Sequence, residues 1–197
     1  MPARWTKLKK RVEDRFADSV KGRLELRMTR YRHAHDGEGE AWITFDRQKI
    51  ATMSTFAWFH ARYAESRRLT PERGFVSSWD HYLRCRERRQ WEPYEPDSNY
   101  SPRRIQFEAD DNMHAQGIFG AFDLVYSMAD YLNHDIDDAL RSDNHIIRAL
   151  ALVDRRFGKR RLLRFDPTDQ PSLVRAFYSL RCQAEGLHPD AGAARAA

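Results

Sequence analysis

The sequence predicts an α+β fold: a small antiparallel meander of two or three strands near the N-terminus, with a predominantly helical C-terminal half. Three observations predict it. Residues Arg23 to Arg32 alternate strictly, with Leu24, Leu26 and Met28 on one side and charged residues on the other, the pattern of a strand with one buried face. The segment Ala41-Trp42-Ile43-Thr44-Phe45 resumes the strand signature after a stretch rich in Gly and Asp/Glu. From Met113 onward the apolar residues recur every three or four positions, as helices require.

Taken in order, Trp5 to Phe16 carries Trp5, Leu8, Val12 and Phe16 on one stripe with Lys and Arg between them, an amphipathic helix that docks on a core. Gly22 ends it, and the alternating strand follows. His33 to Glu40 supplies a turn, and Asp46-Arg47-Gln48 turns the chain into a third short strand around Ile50. Thr55–Arg68 (with Phe56, Phe59, Tyr63) and Val76–Arg89 read as helices separated by Pro71 and Gly74. Trp91 to Arg104 holds Pro93, Pro96 and Pro102, so it reads as an irregular connection that packs over the body.

Met113–Leu132 then reads as one helix with a wide apolar stripe, and Asp135–Arg141 as a short one with Asp135 at its N-cap. Ser142 caps the next helix, which reaches Phe157 with Gly158 in the left-handed C′ position. Leu162, Leu163 and Phe165 suggest a short extended piece, and Pro171 opens a last helix ended by Gly186. Residues 1–187 are expected to form a single domain and 188–197 a disordered tail.

Composition excludes several classes. The chain has 197 residues, 41 % apolar and 32 % charged, with 5 Trp, 8 Tyr and 11 Phe. That is too aromatic for a disordered protein and large enough to bury a core without a metal or disulfide staple. Two cysteines, Cys85 and Cys182, make no disulfide framework and favour a reducing compartment. No run approaches the ~18 consecutive apolar residues of a membrane span, and Pro2 to Lys7 carries no apolar leader. A cytoplasmic protein that does not engage a membrane is expected.

The net charge of +5 conceals segregation. Residues 1–33 hold 11 basic and 4 acidic residues, a balance of +7; residues 106–152 hold 2 and 9, a balance of −7; residues 153–197 hold 9 and 5, a balance of +4. Either the acidic helices face the basic ends in the fold, or a basic surface is left to meet a polyanion.

Few residues suggest chemistry. His33-Ala34-His35-Asp36 sets two imidazoles and a carboxylate in one turn, but no third ligand follows at a familiar spacing. His134-Asp135, with His114 upstream, is accounted for by the N-cap role of Asp135. There is no Gly-rich phosphate loop, nucleophile elbow or Cys–His pair at a recognised spacing. Cys182 lies on the apolar side of its helix and reads as a small core residue. No catalytic residue, metal site or cofactor is therefore assigned.

The basic block is different. Arg155, Arg156, Lys159, Arg160 and Arg161, with Arg164 just beyond, surround Gly158 directly after a helix. Cations there complement the negative end of the macrodipole, each worth about 0.3–1 kcal/mol, and one or two suffice. The surplus either pairs with Asp137, Asp138 and Asp143 upstream or presents a site for an anion or an acidic partner. Asp154, just before Arg155, suggests that at least one arginine is held in an internal ion pair.

The block Gly117–Asp123, with Tyr131-Leu132, Ile136–Ser142, Ile147–Leu150 and Asp154-Arg155-Arg156-Phe157-Gly158-Lys159-Arg160, resembles a family of small uncharacterised bacterial proteins. Arg4–Lys9, Trp42-Ile43-Thr44 and Phe177–Arg181 are similar too. The resemblance covers the chain apart from Arg67–Arg104, and it implies a single bacterial cytoplasmic domain with no known activity, so it carries no functional residues over.

The function expected is that of a non-enzymatic protein-interaction protein of the bacterial cytoplasm, meeting an acidic partner at Arg155, Arg156, Lys159, Arg160 and Arg161. The alternative is a nucleic-acid-binding module using the basic segments 1–33 and 155–161. A third is a hydrolase with a His/Asp site that the sequence does not single out. Oligomeric state is left open.

Overall fold

The computed structural model describes residues 5–30, 39–72, 78–90 and 102–187. The turn around His33 and His35, most of the Trp91–Arg104 connection and the 188–197 tail lie outside the described residues. The chain divides into two compact units: Met1–Phe56 together with Phe119–Ala197, and Ala57–Ile118, inserted between those two segments in the sequence.

The first unit contains the meander. Strands β1 (Leu24–Arg30), β2 (Gly39–Phe45) and β3 (Gln48–Ser54) form an antiparallel sheet in the order β1-β2-β3. The register sets Leu24 opposite Phe45 and Leu26 opposite Ile43, so the apolar half of each alternating pattern faces one way and is buried. A bulge falls between Ile43 and Thr44, an extra residue in one strand that increases local twist. Between β2 and β3, Asp46 (φ 49°) and Arg47 (φ 68°) are both left-handed, the backbone a tight right-twisting hairpin turn needs. Arg23 holds that turn with two hydrogen bonds to the Asp46 carboxylate, 2.9 and 2.6 Å.

Five helices join the sheet. In chain order they are α1 (Trp5–Glu13) before it, then, beyond the inserted unit, α5 (Ala121–Tyr131), α6 (Ile136–Arg141), α7 (His145–Leu152) and α9 (Ser172–Glu185), with the single turn α8 (Lys159–Leu162) between the last two. Helix α5 packs on β2, β3, α1 and α7, and α7 also packs on α9. The core therefore runs from Leu26 and Ile43 through Leu124, Met128 and Leu150 to Val174 and Phe177. The α+β expectation holds.

The second unit contains α2 (Thr55–Glu72) beyond its first residues, α3 (Ser78–Arg88) and α4 (Pro102–Ala115). Leu69, Ile105 and Ala109 form a small core. Arg62 pairs with Asp110 at 2.7 Å, and Asn112 donates to Glu65 at 2.8 Å. Hydrogen bonds from Arg68 and Asn112 pull the Glu65 carboxyl down to about 2. Phe56, Phe59 and Tyr63, which predict the first helix of this region, lie outward, and Trp58 and Leu69 are its buried apolar side chains among the described residues.

Several boundaries differ from expectation for local reasons. Helix α1 stops at Glu13 because Phe16 pairs with Asp154 in an isolated antiparallel bridge instead of closing another turn. Helix α2 runs on through Pro71 to Glu72. The helix expected over Met113–Leu132 is two. Gly117 (φ 78°) ends α4, with its N–H on the His114 carbonyl at 3.0 Å and the Ile118 N–H on the Met113 carbonyl at 2.9 Å, the paired bonds of a glycine-terminated helix. Asn144, not Ser142, caps α7, accepting from the Ile146 and Ile147 N–H groups. That helix ends at Leu152, and the expected extended piece at Leu162 is helical turn α8.

Gly158 is the clearest correction. It has φ −73° and ψ 162° and stands at the N-cap of α8. The left-handed cap expected there is not needed, because Val153 (φ −99°, ψ 0°) already ends α7 and Asp154 carries the chain into the bridge with Phe16.

Candidate functional site

The basic block begins where α7 delivers Asp154 into the core. Asp154 is 0 % exposed, and a buried carboxylate is costly unless its oxygens are satisfied. Here they are. The Tyr131 hydroxyl, from the last turn of α5, donates to Oδ2. Arg156 donates from its backbone N–H to Oδ1 at 2.7 Å and from Nη2 to Oδ2 at 2.7 Å, with Nε 3.1 and 3.0 Å from the two oxygens. Burial pushes the Asp154 carboxyl up, but the bonds from Arg156 and Tyr131 outweigh it and hold it below the usual carboxylate range. Burial and the neighbouring carboxylate push the Tyr131 phenol well above its ordinary value.

Backbone pairing closes the same point from the other side. The Ala17 N–H donates to the Val153 carbonyl at 2.9 Å and the Arg155 N–H to the Arg15 carbonyl at 2.8 Å. The Arg15 guanidinium donates to the carbonyls of Tyr131 (3.2 Å) and Leu132 (2.8 Å), satisfying the C-terminal end of α5. Three distant pieces of sequence thus meet at one buried carboxylate.

A second, largely covered carboxylate lies on α9. Glu185 accepts from Ser19 Oγ at 2.6 Å, and pairs with Arg181 at 2.8 Å and with Lys159 at 2.7 Å. Burial raises Glu185, and Lys159, Ser19 and Arg181 together bring it below its ordinary value. Arg181 is itself only 3 % exposed. Burial lowers its pKa, against the pull of Glu185 and Asp154. Its Nε has no hydrogen-bond partner among the described residues.

The five singled-out cations therefore divide. Arg156 is bound to Asp154, Lys159 to Glu185, and Arg161 to Asp137 of α6, with the Arg161 guanidinium 5.2 Å from the centre of the Phe157 ring. Arg155 and Arg160 are exposed and make no ion pair among the described residues. Arg164 stands with them. Of the carboxylates expected to take up the surplus, Asp137 does so, whereas Asp138 pairs with Arg141 on its own helix.

Other candidates resolve as structure. Asp135 accepts the Asp138 N–H at 2.8 Å, the N-cap role its position implied, and His134 lies 3.4 Å from Asp130 one turn back. Cys85 and Cys182 are both buried and form no disulfide, and burial raises the Cys182 thiol. Among the described residues no three His, Cys, Asp or Glu side chains are grouped as a metal ion would require, and no helix is long and apolar enough to cross a membrane. Sequence reasoning missed Tyr131, Arg15, Arg181 and Glu185. One signal was available, since Arg181 stands among Phe177, Leu180 and Cys182 on an otherwise apolar stripe, where an arginine needs a buried carboxylate.

A family model described as the SF0329 protein family matches residues 4–182, from the start of α1 to the buried face of α9. The chain belongs to the SF0329 protein family. No curated protein and no solved structure matches it. The span matched to SF0329 includes every residue of the Asp154 centre: Arg15, Tyr131, Asp154 and Arg156.

Proposed function

We propose that this SF0329 member is a non-enzymatic interaction protein of the bacterial cytoplasm that binds an acidic protein partner through the exposed arginines of the block. One observation carries the reading. Three of the five cations are held by carboxylates of the fold, while Arg155 and Arg160 are exposed beside them with no ion pair among the described residues. An exposed guanidinium in a fixed setting is a ready fork for a carboxylate, and the internal pairs fix that setting. The arginines most suited to a partner are thus Arg155 and Arg160, with Arg156, Lys159 and Arg161 as their support.

The nucleic-acid reading rests on Lys7, Lys10 and Arg11, which are exposed on α1 outside any ion pair among the described residues. It is weakened by the open groove beside them, about 480 Å³, where Lys9, Lys10 and Lys21 alternate with Glu13, Asp14 and Glu25. A groove of balanced charge is a poor track for a phosphate backbone.

The test is the double variant Arg155→Glu/Arg160→Glu, assayed against labelled polyglutamate and duplex DNA across a salt series. It should melt with the wild type and lose polyglutamate binding. Wild-type DNA binding with a log–log salt slope near −0.9 per phosphate neutralised, abolished by the same change, would move the assignment to nucleic acid. Polyglutamate binding indifferent to both arginines would remove these residues from the site.

A further inference from the structure

We propose that the acidic partner docks on the outward face of α8 through an apolar residue seated on Leu163, between Arg160 and Arg164; this deepens the acidic-partner reading and rests on it. Leu163 is 57 % exposed, among the most exposed large apolar side chains of the first unit. It follows α8 in helical conformation (φ −66°, ψ −19°), and the turn continues, with the Arg164 N–H on the Arg161 carbonyl at 3.1 Å. Arg160, Leu163 and Arg164 are therefore neighbours at spacings of three and four on one face. The other side of the turn is anchored: Leu162 and Phe157 are buried, Lys159 and Arg161 are tied to Glu185 and Asp137, and Phe165 packs on Phe157 and Tyr178. The turn is anchored on that side, and its outward side chains make no ion pair among the described residues.

The chemistry of the face selects the occupant. Two exposed guanidinium groups beside a leucine, with no ion pair among the described residues, complement carboxylates that flank an apolar side chain. That is the layout of a small interface centre, an apolar anchor shielded by a charged rim. A nucleic acid would meet the arginines but gain little from the leucine, which has no ring face for a base to stack on. A bilayer would need more apolar area than one leucine, since even a single myristoyl chain binds membranes only marginally. An acidic protein segment, helical with glutamates around one leucine, uses all three residues.

The full chain is titrated with two fluorescent peptides, an acidic helical one with a single leucine between glutamates and the same peptide with serine in that place. Wild type should prefer the leucine peptide about tenfold, or about 1.4 kcal/mol. Leu163→Ser should erase the preference and keep the serine-peptide affinity. Arg160→Glu/Arg164→Glu should abolish binding of both. These positions are exposed, so melts should coincide with wild type, which a parallel scan verifies. Equal wild-type binding of the two peptides overturns the leucine seat and leaves the acidic-partner reading standing. Failure to bind either peptide or polyglutamate overturns both. Binding to anionic phosphatidylserine vesicles that is lost in Leu163→Ser overturns the proposal in favour of a lipid surface.

Discussion

Gly158 and Gly186 are the same residue type in opposite backbone conformations, and they should respond oppositely to a β-carbon. Gly186 (φ 67°) closes α9 in the left-handed region, where alanine is strained, so Gly186→Ala should cost about 1 kcal/mol in a denaturant melt. Gly158 (φ −73°) has open space where a β-carbon would stand. Alanine fits there and narrows the unfolded ensemble, so Gly158→Ala should leave stability unchanged or raise it by about 0.4–1 kcal/mol. Destabilisation by Gly158→Ala would mean that the turn into α8 is not as described. The sequence made a terminating glycine expected at 158 because an apolar helix and a basic run flank it. It could not show that a long-range bridge at Phe16 ends α7 five residues earlier, while Gly117, which ends a helix by this device as Gly186 does, lay inside an expected helix.

Asp154 also sets a pH response. Its carboxyl, like that of Glu185, titrates below its ordinary value in the fold. A carboxyl depressed on folding contributes stability that is complete above its unfolded pKa, near 4, and is lost as pH falls through the folded value. Thermal stability should therefore decline below about pH 4, and Asp154→Asn, though less stable at pH 7, should decline less steeply there. A wild-type melt with no acid decline beyond that of Asp154→Asn would show that this carboxylate is not ionised in the fold.

At the scale of elements, the ion pairs of the basic block differ in weight by their surroundings. Arg161 and Asp137 are both half in water, so removing that pair should cost no more than about 0.5 kcal/mol. Arg156 serves a carboxylate with no exposure of its own, and Arg156→Met leaves that charge short of its main donor. Because the Arg156 head is itself partly solvated, about 2 kcal/mol is expected rather than the larger cost of a wholly buried pair. Denaturant midpoints for Arg156→Met and Arg161→Met should separate accordingly, and equal midpoints would deny the Asp154 centre its structural role. Strands and amphipathic helices were legible because their periods appear in the sequence, as at Leu24, Leu26 and Met28. The Asp154 centre was legible only in fragments, because its members come from three separate segments and no local spacing joins Arg15 to Tyr131.

Across the whole molecule, the segregated charge suggested that the basic N-terminal segment neutralises the acidic helices. The described cations of 1–33 that form ion pairs do so close by instead: Lys9 with Glu13, Arg27 with Glu25 and Arg23 with Asp46. Arg161 with Asp137 is the pair that carries the C-terminal block to the acidic helices. Such local, exposed pairs are weak and screened, so raising salt from about 0.05 to 0.5 M should change the unfolding free energy by less than about 1 kcal/mol. A larger loss would reveal a long-range electrostatic contribution that the pairs do not account for. The composition gave the balance of each segment, but pairing is decided by reach across neighbouring strands and helix turns, which net charge does not encode.

The bridge between Phe16 and Asp154 also has a consequence in time. During synthesis α1 leaves the ribosome with its apolar stripe of Leu8 and Val12, and the residue that closes the bridge follows only about 140 positions later, which at ~5–20 residues per second is roughly 7–28 s. For most of that interval α5, the helix that packs on α1, has not been made either. Nascent chains halted before Ala121 should therefore keep α1 protease-sensitive and engage hydrophobic-binding chaperones, and chains halted well past α9 should not.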